Sequence, residues 1–199
     1  VTLLRAKLVG AKADGAVFCK AKLDGADLSG GSFVSANFSG GFGETSFQGA
    51  KLDRVNAESA DFSGAFLSST SFVGANLARS NLSSANFYQT NVDGANLSGC
   101  NFTGAYFHGV LGLATATFDN LCGAKLEGVD FNGVDLGGKD CTGANFQGTN
   151  LLEVLNLHTA IGADLHGAQT LWNCEGLDLR NHFLPEVDLR NSLLLGQRS

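Results

Sequence analysis

The run Ala75-Asn76-Leu77-Ala78-Arg79-Ser80-Asn81-Leu82-Ser83-Ser84-Ala85-Asn86-Phe87 carries a period that neither a helix nor a strand possesses. A Leu or Phe returns every five residues, with a small residue two places before it and Asn between. Working outward, the same beat holds at Leu8, Phe18, Leu23, Leu28, Phe33 and Phe38 upstream. It holds again at Phe62, Leu67, Phe72, Leu77, Leu82 and Phe87, with Ala6, Ala21, Ala26, Ala36, Ala60, Ala75, Ala85 and Ala95 two residues before a centre. A fixed internal period implies a stacked array rather than an ordinary globular core.

Within a unit, the centre and the small residue two before it point the same way, and the residue between points outward, as in a strand. Glycine mostly takes the last place of the unit, and the chain holds 27 Gly against 1 Pro. If the centre opens a β-turn, that last place is the third turn position, where positive φ and type II geometry favour Gly. Each unit is then one short side and one corner. Four corners close a square of about 20 residues, and coils stack at a rise of ~4.8 Å. Parallel crossovers are right-handed. The expected fold is an all-β, right-handed quadrilateral (square) parallel β-helix solenoid of about ten coils, one domain across 1–199.

Together with Ala21-Lys22-Leu23-Asp24-Gly25-Ala26-Asp27-Leu28-Ser29-Gly30, the opening run resembles the pentapeptide repeat family over nearly the whole chain. The resemblance implies the same right-handed quadrilateral β-helix. It also implies one line of function, since some members resemble duplex DNA in shape and charge, bind DNA gyrase or topoisomerase IV, and protect them from quinolones or toxins. The gyrase-binding members look like dimers joined through a C-terminal element.

Following centres along one face predicts an apolar column of Leu8, Leu28, Phe47, Leu67, Phe87, Phe107, Leu126, Phe146, Leu165 and Leu184. Burying each contributes roughly 1.5–3 kcal/mol, and each repeat leans only on its neighbours. The period slips in three places: near 40–46, where Gly40-Gly41-Phe42-Gly43 reads as a unit one residue short; over 110–121; and over 155–179, around His158, Trp172 and Asn173. Insertions in solenoids map to loops, often on a binding face.

Charge is unevenly spread. Residues 1–25 carry Arg5, Lys7, Lys12, Lys20 and Lys22 against Asp14 and Asp24, and residues 65–118 carry only Arg79 and Asp93. Residues 126–178 carry Glu127, Asp130, Asp135, Asp140, Glu153, Asp164, Glu175 and Asp178 against Lys139, so the formal net charge of −6 hides a polarised rod. The first six of these acids form a candidate acidic binding surface, with a solvated face as the plainer reading. In the uncharged middle, Asn76, Asn81, Asn86, Asn91, Asn96 and Asn101 repeat at spacing five. Stacking places Asn76 over Asn96 and Asn81 over Asn101, where amides form ladders.

Catalysis finds little support. His108, His158, His166 and His182 lack metal spacing, and no nucleophile-elbow, zinc-protease or phosphate-loop signature occurs. No catalytic residue, metal ligand or cofactor is expected. Five Cys (Cys19, Cys100, Cys122, Cys141, Cys174) lie at repeat positions without a CxxC pair. Their odd number argues against a full disulfide framework and leaves a single bridge open.

The functional expectation is a non-enzymatic protein-interaction scaffold or structural rod, with a DNA-mimicking modulator of DNA gyrase or topoisomerase IV as the alternative. Ten coils at ~4.8 Å span ~48 Å, over which B-DNA presents ~28 charges at one per ~1.7 Å. The net charge of −6 is a fraction of that, and the basic N-terminal end opposes mimicry. An ice- or carbohydrate-binding face is disfavoured by the lack of a regular Thr ladder. The partner is expected to be a protein, without direct nucleic-acid or membrane contact, and a homodimer through the apolar Leu193 to Leu195 end is a further expectation, with Pro185 suited to a last, edge coil. No apolar run of spanning length or charged-then-apolar leader occurs. A soluble protein is expected, cytoplasmic or processed into a compartment such as a periplasm or thylakoid lumen. With no Met and with Val1 already in register, the natural start is expected to have been removed.

Overall fold

Each five-residue unit turns one corner. The carbonyl of Leu8 accepts the N–H of Ala11 at 3.0 Å, closing a four-residue turn whose third residue, Gly10, has φ 67°. That is the type II arrangement, and it recurs at every fifth residue from Gly49 to Gly109. Arg54, Ser59, Ser69, Arg79, Ser84 and Gln89 accept the same positive φ in that series, so stacking overrides the usual penalty for a side chain there. The computed structural model describes residues 1–40, 44–151, 153–165 and 168.

Successive coils are joined by parallel bridges, one residue wide on each side. The first face runs unbroken through Thr2, Lys22, Ser46, Phe66, Asn86, Tyr106, Lys125, Asn145 and Asp164, and these nine stations bound eight coils. The second carries Lys7, Asp27, Lys51, Ser71, Asn91 and Leu111; the third Lys12, Ser32, Asn56, Asn76, Asn96 and Thr117; the fourth Val17, Asn37, Asp61, Asn81 and Asn101. Hydrogen bonds alternate in direction: Leu28 N–H donates to Lys51 O, and Lys51 N–H donates back to Ala26 O, both at 2.8 Å. At most regular corners the third turn residue also donates forward, as Gly25 N–H does to Gln48 O at 2.8 Å.

The interior is filled by unit centres and by the small residues two before them. Phe18, Phe38 and Phe62 stack on the fourth face at centroid spacings of 4.9 Å, and Phe87 and Phe107 do so on the first. At four small-residue positions that are not Ala, a polar atom turns back to a turn carbonyl in the coil before: Thr70 Oγ1 donates to Phe47 O, Ser80 Oγ to Ala57 O, Thr90 Oγ1 to Leu67 O and Cys100 Sγ to Leu77 O. Each satisfies its own buried hydrogen-bonding group.

The predicted column is corrected in register. Phe47, Leu67, Phe87, Phe107, Leu126, Phe146 and Leu165 do share the first face and are buried, but their predecessors are Leu23 and Leu3. Leu8 and Leu28 belong to the second face, below Leu52 and Phe72. Leu28 is buried, whereas Leu8, in the outermost coil, is half-buried; Leu184 lies outside the described residues. The cause is the first slip. Lys22 pairs with Ser46 and Asn37 with Asp61, a coil of 24 residues. What reads as a shortened side is therefore a four-residue insertion at the corner after Phe38, with 41–43 outside the description.

The second and third slips share one device. Ladder positions advance from Leu111 to Thr117 to Asn120, and from Leu155 to Ile161 to Asp164, six residues and then three. The long step opens with a positive φ at Gly112 (78°) and Asn156 (53°), buries Leu113 or Leu157, and ends the turn with Thr115 or Thr159. Leu157–Thr159 is a short 3₁₀ turn containing His158. Within the expected irregular stretch of 155–179, the described residues as far as Leu165 make this six-then-three step, and Trp172, Cys174, Pro185 and the Leu193 to Leu195 end fall outside the described residues.

Candidate functional site

Every slip disrupts backbone pairing at a corner, and a side chain restores it. The Thr45 hydroxyl accepts Lys20 N–H at 2.8 Å and donates to Ser39 O at 3.1 Å, replacing the direct amide-to-carbonyl bond of a regular corner. Thr115 Oγ1 accepts Gly94 N–H at 3.0 Å, and Thr159 Oγ1 accepts Gly138 N–H at 3.1 Å. At the three-residue step, Asp119 Oδ2 accepts Gly99 N–H at 2.7 Å. There Lys139 Nζ donates to Phe118 O at 2.7 Å while lying 4.5 Å from the Phe118 ring centroid. Lys139, the one cation of the acidic segment, is thereby committed to the backbone.

The acidic residues are not gathered on one face. Asp130, Asp135 and Asp140 occupy the outward positions of three successive sides, Asp164 lies on the first face, and Glu127 and Glu153 stand at corners. They girdle the rod rather than form a patch. Asp130, Asp135 and Asp140 also serve the fold. Asp130 Oδ1 accepts Asn132 N–H at 3.0 Å, Asp135 Oδ1 accepts Gly137 N–H at 2.8 Å, and Asp140 Oδ1 accepts Thr142 N–H at 2.9 Å. The Asn156 amide and Gly137 N–H hold the Asp135 carboxyl below its ordinary range; the Thr142 hydroxyl and N–H do the same for Asp140.

Asparagine fills that position in the middle coils with no charge. Asn76, Asn81, Asn96 and Asn101 each accept the N–H two residues on. Their free amide hydrogens then make the expected ladder: Asn96 to Asn76 at 3.2 Å, Asn101 to Asn81 at 3.3 Å, and Asn76 to Asn56 at 3.1 Å. The local fold therefore asks for an acceptor and not for a charge.

At the corner between the first and second faces, Tyr88 and His108 stack at 5.7 Å and 1°, and Tyr106 lies parallel to His108 at 6.0 Å. The carbonyl of Glu127 can only accept, so His108 Nδ1 donates to it at 2.9 Å. Asn145 Nδ2 donates to Glu127 Oε1 at 2.8 Å, leaving Glu127 Oε2 buried without a partner. Tyr88, Tyr106, Thr45, Thr115 and Asp119 break no pattern of charge or motif in the sequence, and Lys139 stands out there only as a charge. An available signal was an aromatic directly before a centre, Phe66 before Leu67 and Tyr106 before Phe107, where a polar residue is the rule.

Cys100 and Cys141 are buried, and burial pushes both thiols up to about 12. Cys19 and Cys122 are half-buried, and all four are free. Among the described residues no group of three or more His, Cys, Asp and Glu could hold a metal ion, and no helix is long and apolar enough to cross a membrane.

Eight copies of the pentapeptide repeats model match residues 3–40, 42–79, 80–110 and 124–154. The chain belongs to the pentapeptide repeat family. Its fold is the family's right-handed quadrilateral β-helix, and the breaks in the match fall at the register slips: after 40, after 110 and after 154. Among solved structures, the pentapeptide repeat protein Rfr23 from the cyanobacterium Cyanothece 51142 is 22% identical, covering 57% of this chain and 91% of its own, with a TM-score of 0.38. A pentapeptide repeat protein of the Arabidopsis thaliana thylakoid lumen is 27% identical, covering 52% and 66%, with a TM-score of 0.33. QnrB1, a plasmid-mediated fluoroquinolone resistance protein, is 21% identical, covering 94% and 86%, with a TM-score of 0.40. None of the curated proteins matches the chain in sequence.

Proposed function

We propose that this pentapeptide repeat protein is a non-enzymatic protein-interaction rod whose acidic coils, carrying Glu127, Asp130, Asp135, Asp140, Glu153 and Asp164, receive a basic protein surface. One observation carries the reading: Asn performs the same backbone cap in the middle coils that Asp performs here. The carboxylates therefore add a charge that folding does not require, and forgo the amide ladder that Asn would make. Charge of that kind sets partner choice and association rate. The test is D130N/D135N/D140N, which keeps every acceptor. A partner captured from a native extract, purified, and retested in isolation binds the wild type in a salt-dependent way and loses at least tenfold with the variant at unchanged melting temperature. Equal binding by the two proteins rejects the reading.

The gyrase alternative has local support from charge density. From Lys125 to Asp164 two coils rise ~9.6 Å, over which B-DNA presents about six charges. Six carboxylates stand there against Lys125 and Lys139. A supercoiling assay with this protein titrated in separates the two readings. Unchanged supercoiling and unchanged quinolone inhibition at micromolar protein eliminate the alternative.

A further inference from the structure

The second face carries opposite charges at equal distances from its middle. Its outward stations run Lys7, Asp27, Lys51, Ser71, Asn91 and Leu111, with Asp130 one coil further on, five residues past Lys125. Counted from Ser71, Lys7 stands three stations towards the N-terminal end and Asp130 three stations the other way, both exposed. The corners repeat the pattern. Where the second face meets the third, Arg54 belongs to the station before Ser71 and Asp93 to the station after it. Where it meets the first, Arg5 belongs to the station of Lys7, and Glu127 to that of Asp130. Lys20 and Arg79, on other corners, pair with Glu44 and Glu58 within the chain. Arg5, Lys7 and Arg54 make no such close ion pair among the described residues.

We propose that this face is a contact between two copies of the chain, laid side by side and antiparallel about a two-fold axis at the level of Ser71. Such an axis lies in the contact plane across the rods, exchanges stations equally far from Ser71, and keeps each corner opposite itself. Lys7 then meets Asp130 of the second copy, Arg54 meets Asp93, and Arg5 comes to the corner of Glu127. Each pairing occurs twice, because a two-fold contact is isologous. The remaining acids do not oppose the contact. Asp27 meets the exposed Leu111 and lies between Lys7 and Lys51 of its own copy, while Asp53 is turned onto its own chain by the Ser71 hydroxyl and the Val73 N–H.

The charges also select the register. Sliding one copy by a station sets Asp27 against Asp130 and Asp24 against Glu127; sliding it the other way leaves Lys7 against Leu111 and makes no opposite pair. The third face, treated in the same way, opposes Lys12 to Asp135 but sets Arg79 against itself. Complementarity of this kind chooses partner and orientation. Exposed pairs are individually weak and screened by salt, so the dimer forms reversibly at low ionic strength. The inference does not rest on the acidic coils receiving a basic protein, since Asp135 and Asp140 stand on other faces and stay accessible in the dimer.

The first test is zero-length carbodiimide coupling of the wild-type chain at low salt, read by peptide mass mapping. Within one copy Lys7 and Asp130 are six coils apart, ~29 Å along the rod, so a link between them reports a second copy. The second is sedimentation equilibrium, with a dimer expected at micromolar protein and lost at about 1 M salt, where the screening length falls to ~3 Å. Lys7→Asp and Asp130→Lys are each expected to weaken association about tenfold or more. Mixing the two variants restores it, because each then supplies the charge the other needs. Lys12→Asp makes the same charge change on the third face and leaves association as in the wild type. The cross-link needs no variant, so it decides even where Asp130→Lys, which loses the cap on Asn132 N–H, does not fold. A monomer at every concentration overturns the inference and leaves the binding of a basic partner intact. A dimer without the Lys7–Asp130 link, or one weakened equally by K12D, overturns it as well.

Discussion

The hydroxyl of Thr45 accepts the amide hydrogen of Lys20 at 2.8 Å, standing where a regular corner would offer a carbonyl. Thr45 is fully buried and passes its own proton to Ser39 O at 3.1 Å. Thr45→Val keeps the shape and leaves both backbone groups without their partner. The expected loss is about 1–3 kcal/mol in urea unfolding, with Thr45→Ser retaining most of the stability. A T45V variant as stable as wild type shows that the insertion finds another way to pair these groups.

Lys139 does for the 111–121 slip what Thr45 does for the first. Lys139→Met keeps most of the aliphatic stem and removes the ammonium that caps Phe118 O and faces the ring. A loss of about 1 kcal/mol is expected, because the group is half-buried and charge-assisted bonds there are partly screened. Lys125→Met, at an outward ladder position on the first face, is the control and is expected to change little.

Gly94 and Gly112 separate two kinds of glycine. Both have positive φ, 62° and 78°, but a Cβ at Gly94 meets nothing within 4 Å, whereas at Gly112 it falls 2.5 Å from the Asp93 Cα and N. Gly94→Ala is expected to cost about 1 kcal/mol, the left-handed penalty alone. Gly112→Ala adds a backbone clash that no rotamer relieves, so its loss in thermal unfolding is expected to be distinctly larger. Equal losses for the two variants contradict this account.

Acid stability follows the carboxylates. Hydrogen bonding holds Asp14, Asp27, Asp135 and Asp140 below the ordinary 3.8, through Ser32, Ser29, Asn156 and Thr142 respectively. A folded value below the unfolded one contributes stability that is present above the unfolded value and lost as pH falls through the folded one. Stability from these groups is therefore level at neutral pH and declines below about pH 4. Replacing all four by Asn is expected to flatten that decline, measured as denaturation midpoint against pH; an unchanged slope refutes it.

How much could be read in advance divides along a physical line. The corners, the square section, the buried small residues and the Asn76–Asn96 and Asn81–Asn101 ladders follow from the unit itself, because stacking repeats each local choice at the same place in the next coil. The face assignment of Leu8 and Leu28 did not follow, since a missing residue in one unit and four extra residues in a corner give the same phase. Only pairing across coils, Lys22 with Ser46, separates them. The acids likewise read as one surface along the chain, whereas a square section distributes consecutive units around four sides. The Tyr88–His108 stack was hidden because its members are 20 residues apart and become neighbours only after coiling.

Thiol reactivity gives the last expectation. Cys100 and Cys141 sit at small-residue positions facing the core, and desolvation first of all pushes each thiol to about 12. Cys122 is only half-buried but is also raised, by burial first and then by Asp140. The thiolate is the reactive species, so iodoacetamide at pH 8 is expected to modify Cys19 ahead of Cys122 and to leave Cys100 and Cys141 untouched until denaturant is added. Peptide mass mapping reads each site separately. Native labelling of Cys100 at the rate of Cys19 means that the coil around Phe102 opens far more readily than its packing between Leu82 and Leu121 implies, and that stability is not evenly shared along the rod.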